Sequence, residues 1–447
     1  MNIAILGAGP AGLAQGYLLS KNHEVHVFEN SNKVGGYAST FELWGKKVEI
    51  GPHFFNIGSD ARLLRLTEEV IGQKYQVYKR KSYILNGKYT FSYPPQALNL
   101  ALQLGFVEIL RGFKSFIKSS LSKNEGKTAE SYLIKKLGEY LYNLLFADST
   151  RKIWGTECAN LSKSYVESLI GAKKLKFNLR KVFKRKTLKD PLHIYPNGGF
   201  GALWEGLRIR SEERGVKYFL GTFVKDMSYR KQTNTWEIEL GSGEVKSYDY
   251  VVSCIPIASF LRLEKTHGPS ILQLYEEVKY RSLVMVYLKV RKNVMNGQCF
   301  YIYSKDSAIT RVTNFSGFNS ESHDDTSVVL VEYWCSLNDL PWTFTDTELA
   351  AYTRNQFHRI DAFEHIEILD FHTKRIEKAY QIPEAVSINR KGRVIRSLMK
   401  YHNISFIGRD ASPNFNYGME DAVMDAFETT QLINQRKMVH EYTHYRS

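Results

Sequence analysis

The first thirty residues constrain the fold of this chain more than any other stretch. Ile3-Ala4-Ile5-Leu6 is an uncharged apolar run with the length of a buried parallel strand. It delivers directly into Gly7-Ala8-Gly9-Pro10-Ala11-Gly12, a G-x-G-x-x-G spacing, and a helical stretch follows over residues 13–19. Each glycine answers a different physical need. Gly7 makes the tight turn, Gly9 lets backbone approach a pyrophosphate, and Gly12 lets helix and strand pack closely. The helix N-terminus turns N–H groups and the positive end of its dipole toward the phosphates. The second strand, residues 24–28, ends at Glu29, where an acid takes the ribose hydroxyls. Strand, helix and acid at their expected offsets raise the motif above chance, yet it does not choose between NAD and FAD. Gly35-Gly36, just beyond the acid, lets the chain pass a bulky cofactor and tilts the choice to FAD; a plain turn explains two glycines as well.

A chain of 447 residues exceeds one ordinary hydrophobic core, so two or three subdomains are expected. No apolar run approaches the ~18 residues of a membrane span. The acidic Glu24 and Glu29 and the motif glycines fit a nucleotide-binding start better than a signal peptide. Cys158, Cys254, Cys299 and Cys335 are far apart, with no C-x-x-C pair. That pattern fits a reducing cytoplasm and argues against a metal or redox-disulfide site. His440-Glu441-Tyr442-Thr443-His444 has the H-E-x-x-H form of a zinc site, but it lies at the C-terminus with no room for a covering helix or third ligand. No metal is expected.

The net charge of +15 calls for a polyanionic partner or surface. Its densest part is Lys173, Lys174, Lys176, Arg180, Lys181, Lys184, Arg185, Lys186 and Lys189, with no acid among them. A solvated helix or loop is the bland explanation. Phe177, Leu179, Val182 and Phe183 interleave with the charges, which suits either peripheral contact with an anionic membrane or a flap over an anionic small molecule. Nucleic acid is disfavoured, because no nucleic-acid-binding module is recognisable.

Along the chain, a nucleotide-binding part is expected from residues 1–75, 191–260 and 396–437, with a tail over 438–447. A hairpin over 76–100 centres on Asn86-Gly87, the strongest short hairpin signal. Residues 101–190 form a helical subdomain, and 261–395 alternate as strands of a separate sheet. The helix over 105–122 sets Phe106, Ile109, Leu110, Phe113, Phe116 and Ile117 opposite Arg111, Lys114 and Lys118. Such a face is expected to be core, with membrane docking as the alternative.

With the turn at 7–12, Glu29, Gly35-Gly36 and Gly408-Arg409-Asp410 together, the chain resembles the two-dinucleotide-binding-domain flavoproteins. These include amine oxidases, protoporphyrinogen oxidases, phytoene desaturases and UDP-galactopyranose mutases. The resemblance implies an α/β (α+β overall) Rossmann-type FAD fold with a helical subdomain and an antiparallel substrate-domain sheet. It also implies FAD contacts from Gly7, Gly9, Pro10, Ala11, Gly12, Glu29, Gly35, Gly36, Val224, Gly408, Arg409, Asp410 and Met419. Gly51-Pro52-His53-Phe54-Phe55 is similar to the mutases' glycine-x-histidine-x-phenylalanine motif, whose histidine lies beside the flavin. Tyr195-Pro196-Asn197-Gly198-Gly199, Glu332-Tyr333-Trp334-Cys335 and Lys378-Ala379-Tyr380 fit the same group. The whole is similar to bacterial protoporphyrinogen-oxidase-like proteins associated with surface-polysaccharide pathways.

On that resemblance His53, Tyr333 and Tyr380 are the catalytic candidates. Arg80, Trp154, Lys173, Lys174, Arg180, Tyr301 and Tyr417 are the candidates for substrate contact. The mutases hold the diphosphate with arginines on a flap, whereas the corresponding region here offers Lys173, Lys174 and Arg180. Two chemistries remain open: oxidation of a sugar nucleotide or related carbohydrate, or a pyranose–furanose mutase reaction with no net redox. His53 also has the alternative of a satisfied core histidine, and Arg80 that of a solvated strand edge.

Overall fold

The protein is described by a computed structural model, in which residues 1–121, 126, 128–170, 192–265, 269–291, 295–318, 325–399 and 403–435 are described. The chain divides into two compact units, each assembled from separated segments. The first takes Met1–Tyr78, Pro191–Val278 and Ile388–Ser447; the second takes Lys79–Asp190 and Lys279–Ser387.

The first unit is built on β1 (Asn2–Leu6), the centre of a five-stranded sheet. On one side β1 pairs with β2 (Glu24–Phe28), beyond which lies Lys217–Phe219. On the other it pairs with Tyr250–Ser253, beyond which lies Ile404–Phe406. Every pairing is parallel. A central strand of a parallel sheet is covered on both faces, and Ile3, Ala4 and Ile5 are fully buried. The helix α1 (Pro10–Leu19) follows directly and is tied to the helix Met419–Asn434 by a hydrogen bond from Gln15 Nε2 to Thr430 Oγ1 at 2.8 Å. The helix α2 (Ala61–Ile71) starts at the N-cap Asp60, which accepts from Arg62 N.

The second unit is organised by a seven-stranded sheet. Its order is Ile368–Gln381, Tyr280–Arg291, Thr326–Cys335, Arg311–Asn314, Cys299–Ile302, Ser82–Asn86 and Tyr89–Ser92. The sheet is antiparallel as expected except where Cys299–Ile302 runs parallel to Ser82–Asn86. Asn86-Gly87 makes the expected hairpin turn, with Gly87 at φ +56°. Val284, Val286, Val312, Val329 and Val331 pack on the helix Asp346–His358 through Leu349 and Phe357.

Two features depart from expectation. The helix α3 (Ala97–Ser120) is interrupted at Gly105, whose φ of +75° and ψ of +170° lie outside helical values. More consequentially, its apolar face is not core. Phe106 is 75% exposed and Phe113 57%, and Ile109, Leu110, Phe116 and Ile117 are also exposed. Periodicity identifies which residues share a face, not which face meets the protein.

Candidate functional site: a nucleotide cradle and an aromatic sheet face

The cradle of the first unit grows from the β1–α1 turn. Gly7 has φ +94° and donates its N–H to Phe28 O at 2.8 Å, joining the turn to the end of β2. A Cβ on Gly12 would lie 1.9 Å from Gly7 O, so only glycine permits this closeness of helix and turn. At Gly9, the N-cap of α1, a Cβ would meet nothing within 4 Å. That is the geometry of a backbone surface that a phosphate can approach, beside a helix start with no side-chain cap.

Glu29 closes one side. Its carboxylate accepts from Ala8 N and Ser31 N, both at 2.8 Å, and its own carbonyl accepts from Thr222 N at 3.0 Å. That bond brings the approach to buried Val224 alongside the acid. The glycine doublet crosses the turn: Gly35 N donates to Ala8 O at 2.8 Å, and a Cβ on Gly36 would lie 3.5 Å from Gly9 Cα. Gly35 and Gly36 have φ of +101° and +52°, conformations that favour glycine. Gly408, at φ +98°, reaches the same place from the far end of the chain, with a Cβ position 3.7 Å from Ala11 Cβ. Arg409 lies over the Tyr37 ring at 5.4 Å. The glycine and acid set therefore converges around the start of α1, and it fits a dinucleotide.

Asp410 faces inward. Its Oδ2 accepts from Ile257 N at 2.7 Å and from Tyr275 OH at 2.9 Å, and its Oδ1 lies 4.0 Å from Lys391 Nζ. Met419 opens the last helix, where Asp421 accepts from Gly418 N at 2.7 Å. Tyr417 donates to Asp425, whose carboxyl is pushed up to about 6 by burial.

His53 sits near a buried acid that the sequence did not single out. Its Nδ1 lies 4.0 Å from Glu49 Oε2, and its ring meets Phe200 edge-on at 6.2 Å. Glu49 Oε1 accepts from Tyr195 OH at 2.9 Å, Phe200 N at 3.0 Å and Thr40 Oγ1 at 3.3 Å. Burial pushes the Glu49 carboxyl up to about 7, against these donors. The His53 and Tyr195–Phe200 motifs, far apart in sequence, therefore share one carboxylate. An acid four residues before His53 was the available signal.

The second unit carries an aromatic face on its sheet. Tyr93 and Tyr301 have ring centroids 4.3 Å apart. Arg80 lies over the Tyr93 ring at 5.3 Å and donates to Tyr301 OH at 3.2 Å. Tyr301 pairs in register with Arg311, and Arg311 with Glu332. Arg311 and Glu332 form a bidentate ion pair, including Nη2–Oε1 at 2.7 Å. Burial works against the Arg311 charge, but Glu332 outweighs it and holds the guanidinium above its ordinary range. Two residues on, Trp334 stacks flat on Tyr380, with centroids 4.2 Å apart at 12°.

Two of the candidate residues lie off that face. Tyr333 points the other way from Trp334, into the hydrophobic core. It is 1% exposed, and its hydroxyl donates to Thr353 Oγ1 at 3.0 Å. Trp154 backs the face instead of presenting on it. It meets Trp334 edge-on at 5.5 Å and gives its Nε1–H to Tyr165 OH at 2.8 Å. Lys173, Lys174 and Arg180, and the H-E-x-x-H stretch at His440, lie outside the described residues.

Similar proteins bear on this geometry. Protoporphyrinogen oxidase of Dictyostelium discoideum is 22% identical over 366 residues, covering 66% of this chain and 67% of its own. A crystal structure of reduced UDP-galactopyranose mutase superposes with a TM-score of 0.81 at 19% identity, over 97% of this chain and 96% of that one. Putrescine oxidase bound to putrescine gives 0.68 at 14% identity, over 98% and 100%. At these identities the two structures show the fold. The model of the flavin containing amine oxidoreductases matches residues 10–434. The chain thus belongs to the flavin containing amine oxidoreductases and is a FAD-dependent enzyme.

Proposed function

We propose that the protein is an oxidoreductase acting on a sugar nucleotide or a related carbohydrate intermediate in surface polysaccharide or glycoconjugate biosynthesis. The observation that carries this reading is the sheet on which Arg80 lies over Tyr93 and donates to Tyr301, and which also carries the Trp334–Tyr380 stack. Flat aromatic faces suit the C–H surfaces of a sugar or a base, and a guanidinium suits a diphosphate. The bound flavin supplies hydride-transfer chemistry.

Gly7, Gly9, Pro10, Ala11 and Gly12 hold the pyrophosphate in this reading, Glu29 the ribose, and Val224 the adenine. Gly35, Gly36, Gly408, Arg409, Asp410 and Met419 complete the cradle. His53, with Nδ1 on the Glu49 side, takes or returns a proton at Nε2, and Tyr380 orients the reacting ring. Tyr301 and Arg80 contact substrate, as do Tyr417 and the cations Lys173, Lys174 and Arg180. Four cysteines without a disulfide support a cytoplasmic location.

A second reading, a pyranose–furanose mutase with no net redox, is favoured by the likeness to the reduced mutase over 97% of the chain. Anaerobic mixing with a panel of UDP- and dTDP-sugars tests both. Bleaching of the flavin absorbance by one sugar nucleotide supports oxidation, whereas ring isomerisation that requires dithionite supports the mutase. Neither change with any member of the panel sinks the sugar-nucleotide assignment.

A further inference from the structure

Leu100 and Leu104 pack on the core, but beyond Gly105 the amphipathicity of α3 is inside out. The side of the helix turned to the protein carries Glu108, Gly112 and Ser115. Glu108 accepts from Tyr140 OH, Ser115 Oγ accepts from Tyr140 N at 3.0 Å, and a Cβ on Gly112 would touch the Tyr140 ring at 3.5 Å. The side turned away carries Phe106, Leu110, Phe113 and Ile117, all exposed, and Leu98 and Leu102 before the break are exposed as well. Beyond the break at Gly105, Phe106, Leu110, Phe113 and Ile117 repeat at three- and four-residue spacing as one stripe along the helical segment 106–120, about 22 Å long. Exposed apolar patches of this extent mark surfaces that are covered in use.

We infer that this stripe lies in the surface of an anionic lipid bilayer, with α3 parallel to the membrane plane. Three observations select that occupant. Exposed Lys114 and Lys118 line one flank of the stripe, beside Arg111, which pairs with Glu108 at 2.7 Å; there the lysines would meet lipid phosphates while the rings enter the acyl boundary. No helix among the described residues is long and apolar enough to cross a membrane, so the stripe lies on a bilayer rather than spanning it. A second copy is the poorer fit, because pairing like stripes would bring both sets of flanking cations together between chains of +15. The inference does not depend on which substrate the enzyme takes.

Sedimentation of the full FAD-loaded chain with sucrose-filled vesicles tests this. The vesicles are phosphatidylcholine alone, or phosphatidylcholine with about 30 mol % phosphatidylglycerol. We expect the protein to pellet with the anionic vesicles and to bind the zwitterionic ones roughly tenfold more weakly, the difference shrinking in ~0.5 M salt. Phe106→Ser with Phe113→Ser should lose roughly tenfold or more in binding. Because both rings are exposed, flavin content and Tm should stay unchanged. Lys114→Glu with Lys118→Glu should remove the salt-sensitive part alone. Wild-type protein left in the supernatant with every vesicle overturns the inference, as does a Phe106, Phe113 double variant that binds normally. A dimer in sedimentation equilibrium that the same double variant dissolves, without vesicle binding, assigns the face to a second copy and equally overturns it.

Discussion

Glu49 presents one carboxylate oxygen to Tyr195, Phe200 and Thr40 and the other to His53, 4.0 Å away, from a side chain that is 1% exposed. The acid is thereby the common point of two motifs more than a hundred residues apart, and it fixes where the His53 ring can sit.

A pH signature follows from Glu49. Its folded pKa of about 7 stands above the ordinary 4.5, so the fold retains a proton that the unfolded chain releases. The group is neutral to stability below the lower value. Stability is lost as pH rises from 4.5 toward 7, levelling at a cost of about 3 kcal/mol. Glu49→Gln keeps an acceptor oxygen for the same three donors and cannot ionise. Its Tm should match wild type near pH 4 and exceed it by several degrees at pH 8. An equal gain at both pH values would show that ionisation is not the cause.

Gly9 and Gly12, three residues apart, should fail in different ways. Gly12→Ala drives a Cβ into Gly7 O, and we expect about 3 kcal/mol or more of lost stability even without flavin. Gly9→Ala meets no protein atom, so the apoprotein Tm should hold while flavin affinity falls roughly tenfold or more. Thermal melts of the apoprotein and a fluorescence titration with FAD separate the two effects. Loss of apoprotein stability in Gly9→Ala would contradict the open cradle.

The Arg311–Glu332 pair predicts a non-additive result. Arg311→Met leaves a carboxylate whose side chain is 0% exposed, which should cost about 3–5 kcal/mol. Adding Glu332→Leu removes the stranded charge and should recover most of that loss. Denaturant melts of the two singles and the double complete the cycle. Additive losses would mean the pair is electrostatically idle.

For Arg80 the prediction concerns binding rather than folding. Loss of a charged hydrogen bond, about 1.5–3 kcal/mol, raises the KM for an anionic sugar nucleotide roughly 10- to 150-fold in Arg80→Gln. The kcat and Tm should change little. A KM that is untouched removes Arg80 from the substrate face.

What could be read from sequence tracks how local the physics is. The β1 turn, Gly12 and the Asn86-Gly87 hairpin were legible because each is settled by a few adjacent residues. The second acid, Glu49, was not, because its importance comes from Tyr195 and Phe200 folding over it. Strand alternation placed Tyr333 and Trp334 on opposite faces but could not say which face is core; that depends on the helix Asp346–His358. The same ambiguity concealed the outward face of α3, since a stripe of Phe106, Leu110, Phe113 and Ile117 has one pattern whether it meets protein or not.

The interleaving of the first unit has a consequence for how the enzyme comes into being. The edge strand Ile404–Phe406, the Gly408 turn that faces Ala11 and the helix start at Met419 leave the ribosome after every other part of the cradle. The glycine turn at residue 7 emerges well before them. Flavin capture must therefore wait until the chain has passed Ile404, and so until every strand of the second unit has been made. We expect nascent chains arrested before Ile404 to emerge colourless from a spin column with FAD, and released chains to emerge yellow. Cofactor loading then reports that the segments of both units have been synthesised.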